Sequence, residues 1–137
     1  MKFFADNVMW IGLAIGSAFM LLLPSFKRNM GAVAGLSATE AVLLINRSNA
    51  IVIDVREATE FASGHIADAK NIPLKELPDR HKELAKFVDK PILVNCQGGV
   101  RSSKACNILV KAGFNKVSNL DGGINAWVQA KLPVVKE

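Results

Sequence analysis

The chain has 137 residues, half of them hydrophobic, and a formal net charge of +5 at pH 7. This length gives room for one domain of ordinary size. Basic and acidic residues are interspersed between residues 68 and 90, which is typical of a solvated surface and argues against nucleic acid as a partner. The two cysteines, Cys96 and Cys106, form neither a disulfide framework nor a cluster with metal-ligand spacing, so no metal site is expected.

The first 28 residues differ in composition from the rest. From Asn7 to Phe26 no residue carries a formal charge, and as a helix this stretch would span about 30 Å, the hydrocarbon thickness of a bilayer. It predicts one transmembrane helix, with residues 1–28 as the anchor. Lys27 and Arg28 follow directly, and this cationic bias predicts that the C-terminal side lies in the cytoplasm.

Two other interpretations of this segment stay open. The small residues 32–34 resemble a signal-peptide cleavage site, but the flanking charges are on the wrong side for secretion. A buried core helix would be apolar all round in a protein too small to surround it. Gly12 and Gly16 have the small-xxx-small spacing of membrane helix pairs, a weak indication of a helix-mediated dimer.

Small residues and glycines make 29–36 the predicted linker. Ser37 and Glu40 then have the spacing of a capping box and predict a helix. The continuous β-branched run 51–55 predicts a strand buried on both faces, and 57–63 a short helix.

The second half of the chain alternates in the same way. Its predicted elements are a helix within 75–87, a strand at 91–95, a helix at 102–112, a strand at 117–120 and a helix at 124–130. This alternation predicts an α/β domain over 37–137, with a small central parallel sheet flanked by helices. Ligands bind at the carboxyl ends of such strands, where Cys96 falls.

The segment from Pro91 to Ser102 predicts a strand, an anion-binding loop and a helix start in succession. Backbone N–H groups near Gly98 and Gly99, the positive end of the helix dipole and the charge of Arg101 all favour a thiolate. Cys96 is therefore the candidate nucleophile, although buried cysteines often serve as small hydrophobic residues. The candidate substrate-binding residues are Gln97, Gly98, Gly99, Val100, Arg101 and Ser102. Cys106, within the next helix, is predicted to be core, with a resolving thiol as the alternative.

From about residue 37 to 136 the chain resembles the single-domain rhodanese-like family. The matching motifs are, in order, Asp54-Val55-Arg56 with Glu60-Phe61, Gly64-His65-Ile66, Asn71-Ile72-Pro73, the loop from Cys96 to Arg101, and Gly122-Gly123-Ile124 with Trp127. The added apolar segment looks like that of bacterial membrane-tethered relatives. The resemblance thus implies the inner (cytoplasmic) membrane, with the domain on the cytoplasmic side.

The resemblance implies a sulfurtransferase without an external cofactor. Cys96 would take sulfane sulfur from a small-molecule donor such as thiosulfate, become a persulfide, and pass the sulfur to an acceptor thiol or cyanide. Arg101 would pair with the anionic donor. Asp54 and Arg56 would support the loops through hydrogen bonds and an ion pair, and His65 would order its turn rather than act as a base.

Two other functions compete. A cysteine phosphatase uses a C-x5-R loop, whereas Cys96 to Arg101 is C-x4-R, and a longer loop would put its arginine where Ser102 stands. A non-catalytic interaction or regulatory module at the membrane would keep the fold without turnover. Such relatives commonly lack the cysteine, so Cys96 favours the enzyme. An anchor would also raise the local concentration of the domain for a membrane-protein partner.

Overall fold

The computed structural model describes residues 2–31 and 33–136, with side chains described for 2–20 and 33–136. It divides into two units, residues 1–32 and 33–137. The first contains helices α1 (Lys2–Asp6) and α2 (Val8–Gly31). Large apolar side chains such as Trp10 and Ile15 are exposed there.

The predicted membrane span is not supported by what the structure describes. Within 2–20 and 33–136, no helix is long and apolar enough to cross a membrane. Residues 21–26 of the predicted span lie outside the described side chains. The span and its boundaries at 1–28 therefore stay predictions.

Within residues 33–136 the second unit is an α/β domain built on a parallel sheet of five strands, in the order β1-β5-β4-β2-β3. The strands are β1 (Ala34–Leu36), β2 (Ile51–Asp54), β3 (Lys70–Asn71), β4 (Ile92–Asn95) and β5 (Val117–Leu120). The helices are α3 (Ala38–Ser48), α4 (Ala58–Ser63), α5 (Leu77–Arg80), α6 (Val100–Lys111) and α7 (Gly123–Gln129), with 3₁₀ turns at Leu74–Glu76 and His81–Phe87. The predicted parallel α/β architecture is confirmed.

Both faces of the central strand β4 are buried, because successive side chains point to opposite sides of a sheet. Ile92 and Val94 pack in the cluster that includes Leu109 of α6. Leu93 packs in the other cluster, with Trp127 of α7. Helices therefore cover both faces of the sheet, and the carboxyl end of β4 is fixed from both sides.

The predicted linker over 29–36 is wrong at its C-terminal end. Ala34–Leu36 is the edge strand β1, which pairs in parallel with β5, and the carbonyl of Leu36 accepts the N–H of Asp121 at 2.8 Å. A Cβ on Gly35 would lie 2.5 Å from the Asp121 carboxylate, so the glycine here serves close packing. A strand of three residues with two small side chains has too little apolar alternation to be recognised from sequence.

The predicted helix over 75–87 is wrong as a continuous element. It is divided into 3₁₀ turns around the short α5. Pro78 has no N–H for an α-helical bond to the carbonyl of Leu74, so α5 begins only at Leu77, where the missing donor is tolerated. Leu77 and Leu84 are nevertheless buried, which explains the apolar spacing.

Two smaller differences concern the sheet and α6. The two-residue strand β3, shortly before Pro73, pairs in parallel with β2 and is not among the predicted elements. Helix α6 begins at Val100, two residues before the predicted start, because Gly99 adopts a left-handed conformation and forms the N-cap. The helix start therefore lies inside the loop that carries Cys96.

Candidate active site

Cys96 follows β4 directly, at the carboxyl edge of the sheet, and is 1% exposed. The backbone N–H of Gly99 donates to its Sγ at 3.0 Å, and the Ser102 hydroxyl lies 3.4 Å from the same sulfur. Gly99 has φ 102°, a left-handed conformation that glycine adopts without strain. The turn therefore directs its N–H at the sulfur from the start of α6.

Two opposing effects set the ionisation of this thiol. Burial raises the pKa of Cys96, since a buried thiolate loses its hydration. Hydrogen bonds from the Ser102 hydroxyl and from the backbone N–H groups of Ser102, Gly99 and Gly98 lower it by more. The net pKa of Cys96 lies below its ordinary value, so more of it is thiolate near neutral pH.

Ser102 lies beneath the sulfur and connects it to β5. Its hydroxyl is 2.6 Å from Oδ1 of Asn119 and 3.1 Å from the carbonyl of Gly99. The Asn119 amide in turn donates to the Gly99 carbonyl at 3.3 Å. Asn119 was not predicted from the sequence. What could have indicated it is a polar amide in the middle of a short strand that lies beside β4.

Helix α7 holds the loop by its backbone. The N–H of Ile124 donates to the carbonyl of Cys96 at 2.9 Å, and the N–H of Asn125 to that of Gln97 at 3.1 Å. Gly123 has φ 58°, and a Cβ there would lie 2.3 Å from the Cys96 carbonyl oxygen. Any other residue would therefore force α7 and the Cys96 loop apart.

Asp54 and Arg56 form a buried ion pair, with 0% and 2% of their side chains exposed and 2.8 Å between Nη2 and Oδ2. Arg56 also donates to the carbonyl of Gly64 at 2.7 Å and to Oε1 of Gln97 at 3.3 Å. One guanidinium thus connects the end of β2, the turn after α4 and the Cys96 loop.

His65 is buried in the turn after α4. Its Nδ1 donates to the carbonyl of Phe61 at 2.8 Å, and its ring stacks on that of Phe61 at 3.7 Å. Its backbone N–H and carbonyl pair with Val135. Among the hydrogen bonds of the described residues, none joins His65 to Cys96.

Arg101 is paired with a carboxylate of the chain itself. Its Nη1 and Nη2 lie 2.7 and 3.0 Å from the two oxygens of Glu60, on α4. The Arg101 guanidinium holds the pKa of Glu60 down, to about 2. Glu60 belongs to a motif of the family resemblance, but its contact with the loop was not predicted.

The remaining loop residues, Gly98 and Val100, are exposed. Cys106 lies on α6 and is fully buried in the core, and burial raises its pKa to about 12. In the part of the chain that the structure describes, no three His, Cys, Asp or Glu side chains form a group able to hold a metal ion.

The site is a buried cysteine between β4 and α6, at the carboxyl edge of a parallel sheet, and its sulfur lies within hydrogen-bond distance of the Gly99 N–H and the Ser102 hydroxyl. Residues 37–130 match the rhodanese-like domain, and the chain belongs to that family. The family resemblance found in the sequence is thereby confirmed.

Relatives cover most of the chain. The uncharacterized protein YibN of Escherichia coli (strain K12) is 34% identical over 131 residues, which are 95% of this chain and 89% of that protein. A sulfurtransferase of Allochromatium vinosum is 37% identical over 92 residues, 67% of this chain and 84% of its own. The crystal structure of a rhodanese-related protein from Thermoplasma volcanium has a TM-score of 0.68 and 36% identity, covering 76% of this chain and 99% of its own.

Proposed function

We propose that this protein is a sulfurtransferase that carries sulfane sulfur on Cys96. The observation that carries the proposal is a buried sulfur on which the Gly99 N–H and the Ser102 hydroxyl converge, and these hydrogen bonds lower the pKa of the Cys96 thiol. Such donors stabilise any anion placed there, a thiolate or a persulfide alike. The similarity to a sulfurtransferase of Allochromatium vinosum supports the same activity.

The reaction has two displacements. The Cys96 thiolate attacks the outer sulfur of a donor such as thiosulfate, a new S–S bond forms, and the old one breaks with its electron pair leaving on sulfite. An acceptor thiolate or cyanide then attacks the terminal sulfur of the persulfide. The S–S bond to Cys96 breaks and the thiolate is regenerated. Charge and electrons balance in both steps.

The loop serves both states of the cysteine. Before transfer, the N–H of Gly99 and the hydroxyl of Ser102 hold the thiolate. After transfer, the added sulfur carries the charge, and the positive end of α6 favours an anion there. Cys96 is 1% exposed while Gly98 and Val100 are exposed, so we expect a donor to approach the sulfur from the side of this loop.

Intact-mass analysis of the full chain after thiosulfate treatment tests the covalent step. The native protein is expected to gain about one sulfur atom per chain, and Cys96→Ser none. Cys106→Ala is the matched control and is expected to gain the same mass as the native protein. A gain that persists in Cys96→Ser, or none in the native protein, contradicts the proposal.

We further propose that residues 1–28 anchor the domain at the inner membrane, with residues 37–137 in the cytoplasm and close to a membrane-bound sulfur acceptor. The uncharged stretch from Asn7 to Phe26 and the flanking Lys27 and Arg28 support this. The native chain is expected to stay in the membrane fraction after an alkaline wash. A chain lacking residues 1–28 is expected in the supernatant, and release of the native chain there contradicts the proposal.

A further inference from the structure

Arg101 supplies the positive charge nearest in sequence to Cys96 and Ser102, but its charge is already compensated. The two carboxylate oxygens of Glu60 accept hydrogen bonds from Nη1 and Nη2 of Arg101, at 2.7 and 3.0 Å. This is the bidentate geometry that suits a guanidinium and a carboxylate. The pair is partly exposed, 36% for Arg101 and 33% for Glu60. It joins the first turn of α6, directly after the Cys96 loop, to α4.

The ion pair between Arg101 and Glu60 changes the net charge that a charged donor meets at the loop. Because the pKa of Glu60 is about 2, the carboxylate is ionised at any working pH. A dianion such as thiosulfate therefore meets a neutral pair instead of a free guanidinium. To bind Arg101, it must compete with Glu60 for the same N–H groups and approach a fixed negative charge.

We propose that Glu60 is a positioning residue that sets donor specificity, so that the site accepts sulfane sulfur from monoanionic organic donors, persulfides and thiosulfonates, in preference to dianionic thiosulfate. This inference rests on the proposed function. With a persulfide donor, the Cys96 thiolate attacks the terminal sulfur, an S–S bond forms, and the donor's own S–S bond breaks. The electron pair leaves on the organic thiolate, and with a thiosulfonate donor it leaves on the sulfinate, so charge is conserved in both cases.

The substitution Glu60→Gln separates charge from structure. Glu60 also accepts the N–H of Glu57 at 3.1 Å in the capping box that begins α4. Glutamine at this capping-box position makes the same bond, so α4 keeps its N-terminus. Glu83→Gln is the matched control, because Glu83 forms an exposed pair with Arg80, also at 2.7 Å.

The experiment measures the rate constant for sulfur loading of Cys96 by intact mass, with thiosulfate and with benzenethiosulfonate, a monoanion that also transfers its outer sulfur. In Glu60→Gln the rate constant is expected to rise about tenfold for the dianion and about threefold for the monoanion, because attraction to the freed Arg101 scales with donor charge. Glu83→Gln is expected to change neither. About 1 M salt is expected to reduce both gains, since it screens exposed charges.

The outcomes distinguish this inference from the proposed function. If neither donor loads Cys96 of the native protein, the proposed function fails. If both donors load Cys96 but Glu60→Gln changes the two rate constants by the same factor, in either direction, Glu60 is structural and the inference is wrong. Glu60→Asp, which keeps the charge, is expected to keep the native ratio of the two rate constants. A ratio like that of Glu60→Gln would also overturn the inference.

Discussion

The reactivity assigned to Cys96 depends on a few hydrogen bonds. Burial alone would leave an inert thiol, as it does at Cys106, whose pKa is raised to about 12. The Ser102 hydroxyl has one proton and three acceptors in reach: the Cys96 sulfur, Oδ1 of Asn119 and the carbonyl of Gly99. When Cys96 is ionised, the sulfur is the most strongly charged of them. Ionisation of the thiol and the direction of this proton are therefore coupled.

At the residue scale, Ser102→Ala is expected to raise the pKa of Cys96, because the thiolate loses the hydrogen bond from the Ser102 hydroxyl. The pH dependence of alkylation by iodoacetamide measures this shift. Ser103→Ala, the neighbouring exposed serine, is expected to leave it unchanged. An unchanged alkylation profile in Ser102→Ala would show that the backbone N–H groups suffice.

At the scale of elements, the site is a junction of three segments. Helix α6 supplies donors to the sulfur, the first turn of α7 binds the carbonyls of Cys96 and Gln97, and Arg56 connects the loop to β2 and to the turn at Gly64. Apart from the bond between the Arg56 and Gln97 side chains, each of these contacts uses backbone atoms on at least one side. The loop conformation is therefore set mainly by where the chain can approach itself closely.

The close approach of Gly123 to the Cys96 carbonyl can be tested by substitution. Gly123→Ala puts a Cβ within 2.3 Å of the Cys96 carbonyl oxygen, at a φ of 58°. We expect a loss of unfolding free energy of roughly 2–4 kcal/mol from strain and displaced packing, and a slower sulfur loading of Cys96. Urea denaturation and mass analysis measure the two effects. Gly98→Ala, where a Cβ would meet nothing within 4 Å, is expected to keep the native stability.

At the scale of the whole molecule, the sequence carried most of the architecture and part of the site. The short, mainly apolar runs 51–55 and 91–95 indicate buried strands, and the composition of the Cys96 loop indicates an anion-binding site. The partners of the loop depend on tertiary proximity: Glu60 lies 41 residues from Arg101 along the chain. Local sequence patterns do not indicate contacts between residues so far apart in the chain. The three-residue strand β1 is also too short to show an alternation of apolar and polar residues.

The two cysteines also link the stability of the whole fold to pH in opposite directions. Burial raises the pKa of Cys106 from 9.0 to about 12. Its contribution to stability is therefore complete below about pH 9 and is lost as the pH rises toward 12, since the unfolded chain releases this proton first. Cys106→Ala is expected to have a pH-independent cost of roughly 1 kcal/mol for the lost sulfur. Between about pH 8 and about pH 11, its unfolding free energy is expected to fall by roughly 2.5 kcal/mol less than that of the native chain. Urea denaturation at the two pH values measures the difference, and because Cys96 titrates in both proteins, its opposite contribution cancels. Equal declines in the two proteins would show that Cys106 ionises as easily in the fold as in the unfolded chain.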